Sequence, residues 1–468
     1  MRFSLTIAAM KTCFVGYLLL ALLPNANAVP SFARQTGQAC VACHVSFPEL
    51  TPYGRYFKLT GYTIGERKWF PIAMMAQANY TSIKNNDDGT GTNTPVINNR
   101  ESNAMFSGAS VFVAGKATDY LGGFIQWTFN NAAPSTDANG VTSLKSHSQI
   151  DNTDVRLVGK YAGAGAQEPE LIYGLTVHNN PTVQDVWNST AAFGFPYTTS
   201  PLSGYPTPAR TQVDNALGQQ VAGLGGYVFL KKSLYAELSF YRTADGAFSL
   251  LRGGLDTASA GGVARLQGYN PYLRLAWNHE WGPNSVMVGG YGLRVDRFPD
   301  NTIPGTPTDR YTDYAVDAQY QYISDVHTYT AQAAYIWEKQ DYRASFPAGG
   351  IGAGPVPVNA TDNLQTFKVK GTYYYQRKYG ATLAYFNTTG SVDTGLFAPT
   401  AVTGSANGSP NSTGYIMELN YVPVPNVRLM LQYTGYTKFN GGNTGYDGLT
   451  ARSARDNNLL FANVWVAF

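Results

Sequence analysis

The stretch Val427-Arg428-Leu429-Met430-Leu431-Gln432-Tyr433-Thr434 sets Val427, Leu429, Leu431 and Tyr433 against Arg428, Met430, Gln432 and Thr434. Successive side chains of a strand point to opposite faces, so a period of two with one apolar and one largely polar face predicts a strand with lipid on one side and water on the other. Tyr415, Met417, Leu419 and Tyr421 repeat the pattern against Ile416, Glu418 and Asn420. So do Leu234, Ala236, Leu238 and Phe240 against Glu237 and Ser239, and Tyr314, Val316, Ala318, Tyr320 and Tyr322 against Asp313, Asp317, Gln319 and Gln321. A β-sandwich would also alternate, but its outer face would be wet and carry more charge. This chain of 468 residues is 13% charged and 13% aromatic, with 49 Gly and 33 Tyr, and no later apolar run is long enough for a membrane helix.

Connection lengths extend the inference to the whole chain. Tight turns are expected at Thr118-Asp119, Lys231-Lys232, Gly282-Pro283-Asn284, Ser324-Asp325-Val326, Arg377-Lys378 and Pro423-Val424-Pro425. Long loops fall near residues 83 to 102, 131 to 149, 180 to 218, 245 to 268, 297 to 309, 340 to 360, 390 to 411 and 440 to 455. Short and long connections alternate as in barrels whose short turns face the periplasm and whose long loops face outside. The expected fold is all-β, an antiparallel transmembrane β-barrel of about 16 strands over residues 71–468, integral to a bacterial outer membrane and surrounded by its lipid. Leu460, Ala462, Val464, Val466 and Phe468 share one face of the last strand, which resembles the signal read by the barrel-assembly machinery.

Residues 1–28 read as a signal peptide. Arg2 and Lys11 precede the apolar stretch from Cys13 to Leu23, and Ala26-Asn27-Ala28 offers a cleavage site after Ala28. The net charge is +3, of which the leader holds two, leaving +1, so no nucleic-acid partner is expected.

Residues 29–70 carry the chemistry. Cys40-Val41-Ala42-Cys43-His44 spaces two thiols for addition to two haem vinyl groups and places an imidazole next to them for the iron. One covalently attached haem c is the expectation, with His44 as the proximal iron ligand; export suits it, because such attachment occurs outside the inner membrane. A disulfide is the alternative, and a zinc site would need two further ligands that residues 29 to 70 lack. About 40 residues cannot bury a haem alone, so the segment should plug or cap the barrel lumen, entering from the periplasmic side. Lumen-facing Arg274, Asp317, Lys368, Lys370, Glu418 and Arg428 could hold it, although the plainer expectation for each is a solvated pore residue.

For the sixth iron position, parity in the first strand, Pro71 to Ser82, puts Met75 on the lumen side with Gln77 and Asn79, and Met74 on the lipid face with Ile72, Ala76 and Ala78. Met75 is the candidate distal ligand; packing against the plug is the alternative. His279 and His327 read as interfacial girdle residues and His147 as a loop residue. His178 faces the lumen at an outer strand end, where with Asp185 it could bind a divalent ion, two donors being a sparse set.

Phe32-Ala33-Arg34-Gln35-Thr36-Gly37 leading into Cys40, Cys43 and His44, then Phe47-Pro48, Gly54-Arg55-Tyr56-Phe57-Lys58 and Gly61-Tyr62-Thr63, followed by a barrel, resembles the fused outer-membrane monohaem cytochrome c-porins of iron-oxidising bacteria. The resemblance implies an Fe(II)-oxidising conduit that takes electrons at the cell surface and passes them to a periplasmic cytochrome or other carrier. It also implies haem attachment at Cys40 and Cys43, iron ligation by His44 and a propionate contact from Arg34. Three functions remain open at this point: that conduit, the same conduit serving another extracellular donor or a protein partner, and a diffusion porin with a haem-bearing plug.

Overall fold

The computed structural model describes residues 30–85, 104–136, 142–166, 168–200, 208–253, 263–346 and 349–468. The leader with its cleavage site and most of the loop at 83 to 102 lie outside these residues. Sixteen antiparallel strands form a closed barrel, from β1 (Ile72–Ile83) to β16 (Leu459–Ala467), and closure comes from β16 pairing antiparallel with β1. An even number permits this antiparallel seam, and closure leaves no edge strand to be satisfied in lipid. The predicted parity holds on the outer face, where Leu238, Leu275, Val316, Leu383, Leu419 and Leu460 are all exposed. Aromatic residues cluster outside the short turns: His279 stacks between Trp277 and Trp281, and His327 on Tyr329 and Tyr373, which fits the girdle expectation.

Three expectations are corrected. The loop near 131 to 149 is mostly strand, since β3 (Leu121–Thr136) pairs with β4 (Thr142–Tyr161) along most of their length, and His147 lies in β4 opposite Asn130. Strands that continue beyond the bilayer need no apolar face, so their sequence loses the alternation that reveals a spanning strand. The loop near 180 to 218, expected outside, instead lies within the lumen over its described residues 180–200 and 208–218. The Trp187 carbonyl accepts from Gln332, Tyr197 meets Thr372 at 2.5 Å, the Thr198 carbonyl accepts from Gln432, and the Val213 N–H donates to Asp313. The lumen-facing charges are the third correction, because Arg274, Asp317, Lys370, Glu418 and Arg428 are buried and partnered instead of solvated.

The hydrophobic core therefore sits inside the barrel. Leu59 from the N-terminal segment and Val186 and Trp187 from the inward loop pack with wall residues Val158, Ile172, Tyr227, Phe229 and Tyr235. Deeper along the loop, Val213 and Leu217 pack on Tyr241, Tyr272, Leu293 and Ile336. Surface proteolysis of intact cells should cut within the outward loop at 342–360 and spare both the Lys231-Lys232 turn and residues 180–200. Cleavage within 180–200 would show that loop to be outside.

Candidate haem-attachment site

Two short helices and a longer one build the N-terminal plug: α1 (Ser31–Thr36), α2 (Cys40–Cys43) and α3 (Pro52–Leu59). Thr51 caps α3 by accepting the Gly54 N–H at 3.1 Å, and Pro52 occupies the first turn, where its missing N–H costs nothing. The Thr51 N–H donates to the Cys43 carbonyl at 2.9 Å, tying the start of α3 to the end of α2. Gly54 is required at this crossing, because a Cβ there would lie 2.2 Å from the Cys43 carbonyl oxygen. Gly54→Ala should destabilise the plug by about 1–3 kcal/mol through overpacking, read as faster limited proteolysis between residues 30 and 66, with the barrel unchanged in its resistance to detergent.

The motif downstream of the cysteines turns out to be docking chemistry. Arg55 donates to Ser285 at 2.6 Å and Gln319 at 3.2 Å on the lumen wall. Lys58 donates to the carbonyls of Val183 and Asp185 (3.1 Å to the latter), joining plug to inward loop. Tyr62 donates to Asp154 at 2.7 Å, and the same carboxylate holds Arg156 at 2.9 Å. On the other side Arg428 donates to the Phe47 carbonyl at 2.7 Å while paired with Glu418 at 2.7 Å, and Lys370 lies 3.6 Å from Glu49. Arg377, in a short turn, donates to the Val41 carbonyl at 2.9 Å, so the segment fills the short-turn mouth. A buried charge stranded by loss of its partner is costly, which makes these contacts specific locks for the plug.

Cys40, Cys43 and His44 come together along a cavity of about 170 Å³, whose walls include Phe32, Phe57, Tyr62 and Phe124. Phe32 stacks on Tyr62 with centroids 5.4 Å apart and meets Phe57 edge-on at 4.9 Å. Neither cysteine is in a disulfide. Burial pushes the Cys43 thiol up to about 11, with the neighbouring Cys40 adding to the shift. Burial also pulls the His44 imidazole down to about 4, against smaller opposing effects of the Glu49 and Pro48 backbone. The ring is thus neutral over the ordinary pH range, as iron ligation requires. Its buried Nδ1 has no hydrogen-bond partner among the described residues. Thiols free of a disulfide, a neutral imidazole with an unsatisfied buried nitrogen and aromatic walls fit a covalently attached haem.

A second cavity of about 450 Å³ adjoins the first, shares His44, Phe47, Phe124 and Phe193 with it, and is also lined by Met75 and Trp465. Cavities of this size are in the range used for cofactors. His44, Met74 and Met75 all border one space, but Met74 is 42% exposed and strand parity turns its side chain to the outer face, leaving Met75 on the lumen side. Arg34 donates to the Ile72 carbonyl at the start of β1 and lines neither cavity. The proposed ion pair of donors is not assembled: His178 bonds the Tyr241 hydroxyl at 2.6 Å, and Asp185 faces Arg274 at 3.3 Å. Among the described residues no three His, Cys, Asp or Glu side chains converge. Sequence reasoning missed the inward loop's part in the site, where Asp185, Asn188 and Phe193 line the cysteine cavity. The available signal was the apolar content of Val183, Val186, Trp187, Phe193 and Phe195, unusual for a loop in water.

No protein-family model and no curated protein matches the chain. Among solved structures it is similar to Salmonella typhi OmpF in complex with daunomycin, at 11% identity and a TM-score of 0.46, covering 85% of this chain and 97% of that one. It is also similar to the outer membrane channel DcaP of Acinetobacter baumannii (12%, TM-score 0.42, 85% and 96% covered) and to a loop-deletion mutant of OmpT, an outer membrane protein of Vibrio cholerae (11%, 0.41, 85% and 98%).

Proposed function

We propose that this barrel is an outer-membrane electron conduit whose plug carries one covalently attached haem c, accepting electrons from extracellular Fe(II) and delivering them to a periplasmic carrier. The observation that carries the proposal is the convergence of Cys40, Cys43 and His44 on one aromatic-walled cavity inside a barrel whose lumen is packed by its own chain. When bound, the cofactor supplies a one-electron couple. Cys40 and Cys43 are the attachment residues, and His44 offers a neutral nitrogen to the iron. Phe32, Phe57, Tyr62 and Phe124 keep water from the site. Fe(II) as donor rests on the resemblance of the plug motif.

Two features favour a conduit over a diffusion pore. Wall charges that would line an aqueous channel are spent on holding the plug and inward loop, as with Arg428 on Phe47 and Lys370 on Glu49. The inward loop reaches the far wall at Thr372 and Gln432. Stopped-flow mixing of the oxidised protein with Fe(II) should develop the reduced haem bands. Reduction by other donors with Fe(II) inert would replace iron as substrate, and no reduction by any donor would remove the conduit.

A further inference from the structure

One side of the barrel's outer face changes from apolar to charged near the long loops. Along β9 (Asn284–Arg297), the exposed Val288 shares its face with Arg294 and Asp296. Along β10 (Asp309–Ile323), Val316 and Tyr314 lead to Arg310, and along β11 (His327–Asp341), Trp337 leads to Lys339 and Asp341, with Arg343 just beyond. Register brings these together, Arg310 lying opposite Asp296 on one neighbour and Asp341 on the other.

Arg310 holds Asp296 through two N–H groups at 2.7 and 3.0 Å. Around them, Lys339 lies 2.9 Å and Arg343 3.6 Å from Asp341, and Arg294 lies 3.7 Å from Asp296. Four cations thus share two carboxylates, and the side chains of Arg294, Lys339 and Arg343 remain 50%, 58% and 50% exposed. At the same level on the strands beyond, the outward positions are the uncharged Asn387, Thr389, Thr413 and Thr437. The excess positive charge sits above an aromatic band of Tyr314 and Trp337 and points away from the lumen. That is the height at which lipid head groups meet a barrel wall.

We infer that this patch binds the phosphate-bearing head group of a membrane lipid in the leaflet on the long-loop side. Arg294, Lys339 and Arg343 donate charge-assisted hydrogen bonds to the phosphate oxygens, while Tyr314 and Trp337 lie along the acyl chains. Arginine suits the site because its planar fork matches phosphate oxygens. Nothing here depends on haem.

The test uses the full-length protein, delipidated in detergent and titrated with a bisphosphorylated glycolipid or its dephosphorylated counterpart, with bound lipid counted by native mass spectrometry. Wild type should prefer the phosphorylated lipid. The variant R294Q/K339Q/R343Q, which leaves Arg310 on Asp296, should bind it about 100-fold more weakly and lose the preference. R294K/R343K keeps the charge and should keep most of the affinity. Inorganic phosphate should not displace the lipid. Equal binding of both lipids by wild type, or an unaltered affinity in the triple variant, would overturn the inference. Displacement by inorganic phosphate at matched concentration would also overturn it, making the patch a site for the free ion. Should the triple variant fail to fold, the two-lipid comparison on wild type and R294K/R343K decides.

Discussion

Replacing Cys40 and Cys43 together by alanine should abolish haem staining of the chain after denaturing electrophoresis. Thioether bonds survive denaturation and a His–iron bond does not, so the stain reports the covalent link alone. Each single variant should retain at most one thioether and stain weakly, whereas His44→Ala should keep the covalent stain and lose the iron's proximal ligand, seen as altered absorption of the folded protein. The effect should be confined to the plug mouth, because both cysteines lie on α2 and neither is in a disulfide. The lipid-facing wall, built from β1 to β16, owes nothing to them, and the double variant should still resist detergent as a barrel. Undiminished staining in the double variant would end the haem c proposal.

The second large effect concerns Met75. It lines the same cavity as His44; Met74 borders that cavity too, but alternation along β1 turns the Met74 side chain outward, where it is 42% exposed. A thioether ligand raises the potential relative to a second histidine, and axial ligands command a span of about 0.8 V among haem proteins. Met75→Ala should therefore lower the midpoint potential by on the order of 0.1 V, a fraction of that span, and slow reduction by Fe(II). Met74→Ala should leave both nearly unchanged. Redox titration of the two variants separates ligation from packing, since equal small shifts would mean that Met75 only packs against the plug.

The barrel was legible from the sequence because lipid imposes a local rule. Every spanning strand must be apolar at alternate positions, and Leu234 to Phe240 or Tyr314 to Tyr322 obey it without reference to any other part of the chain. Nothing comparable governs the lumen. Parity could say that Arg428 and Lys370 face inward, but not that they meet Phe47 and Glu49, more than 300 residues earlier in the chain. Arg55, read only as part of a resemblance, reaches Gln319 across the lumen for the same reason. The inward course of 180–200 and 208–218 was hidden because a long Asn-, Pro- and Thr-rich connection reads as a surface loop, whereas Val186 and Trp187 are its buried anchors. The pentapeptide was legible because haem attachment depends on spacing within five residues. Its distal partner was not, because that depends on how strand and plug meet.

Transfer of electrons without transfer of solutes is the central claim, and vesicles test it most directly. The purified holoprotein, reconstituted with the long loops outward, faces external Fe(II) and a trapped, membrane-impermeant electron acceptor that can be followed by absorbance. The trapped acceptor should become reduced, while an ionic dye sealed in the same vesicles stays inside and planar-bilayer conductance stays near zero. Vesicles carrying the Cys40→Ala/Cys43→Ala variant should show no reduction. An acceptor that remains oxidised with the holoprotein, or one reduced only as the dye escapes, would contradict the conduit and leave an open pore in its place.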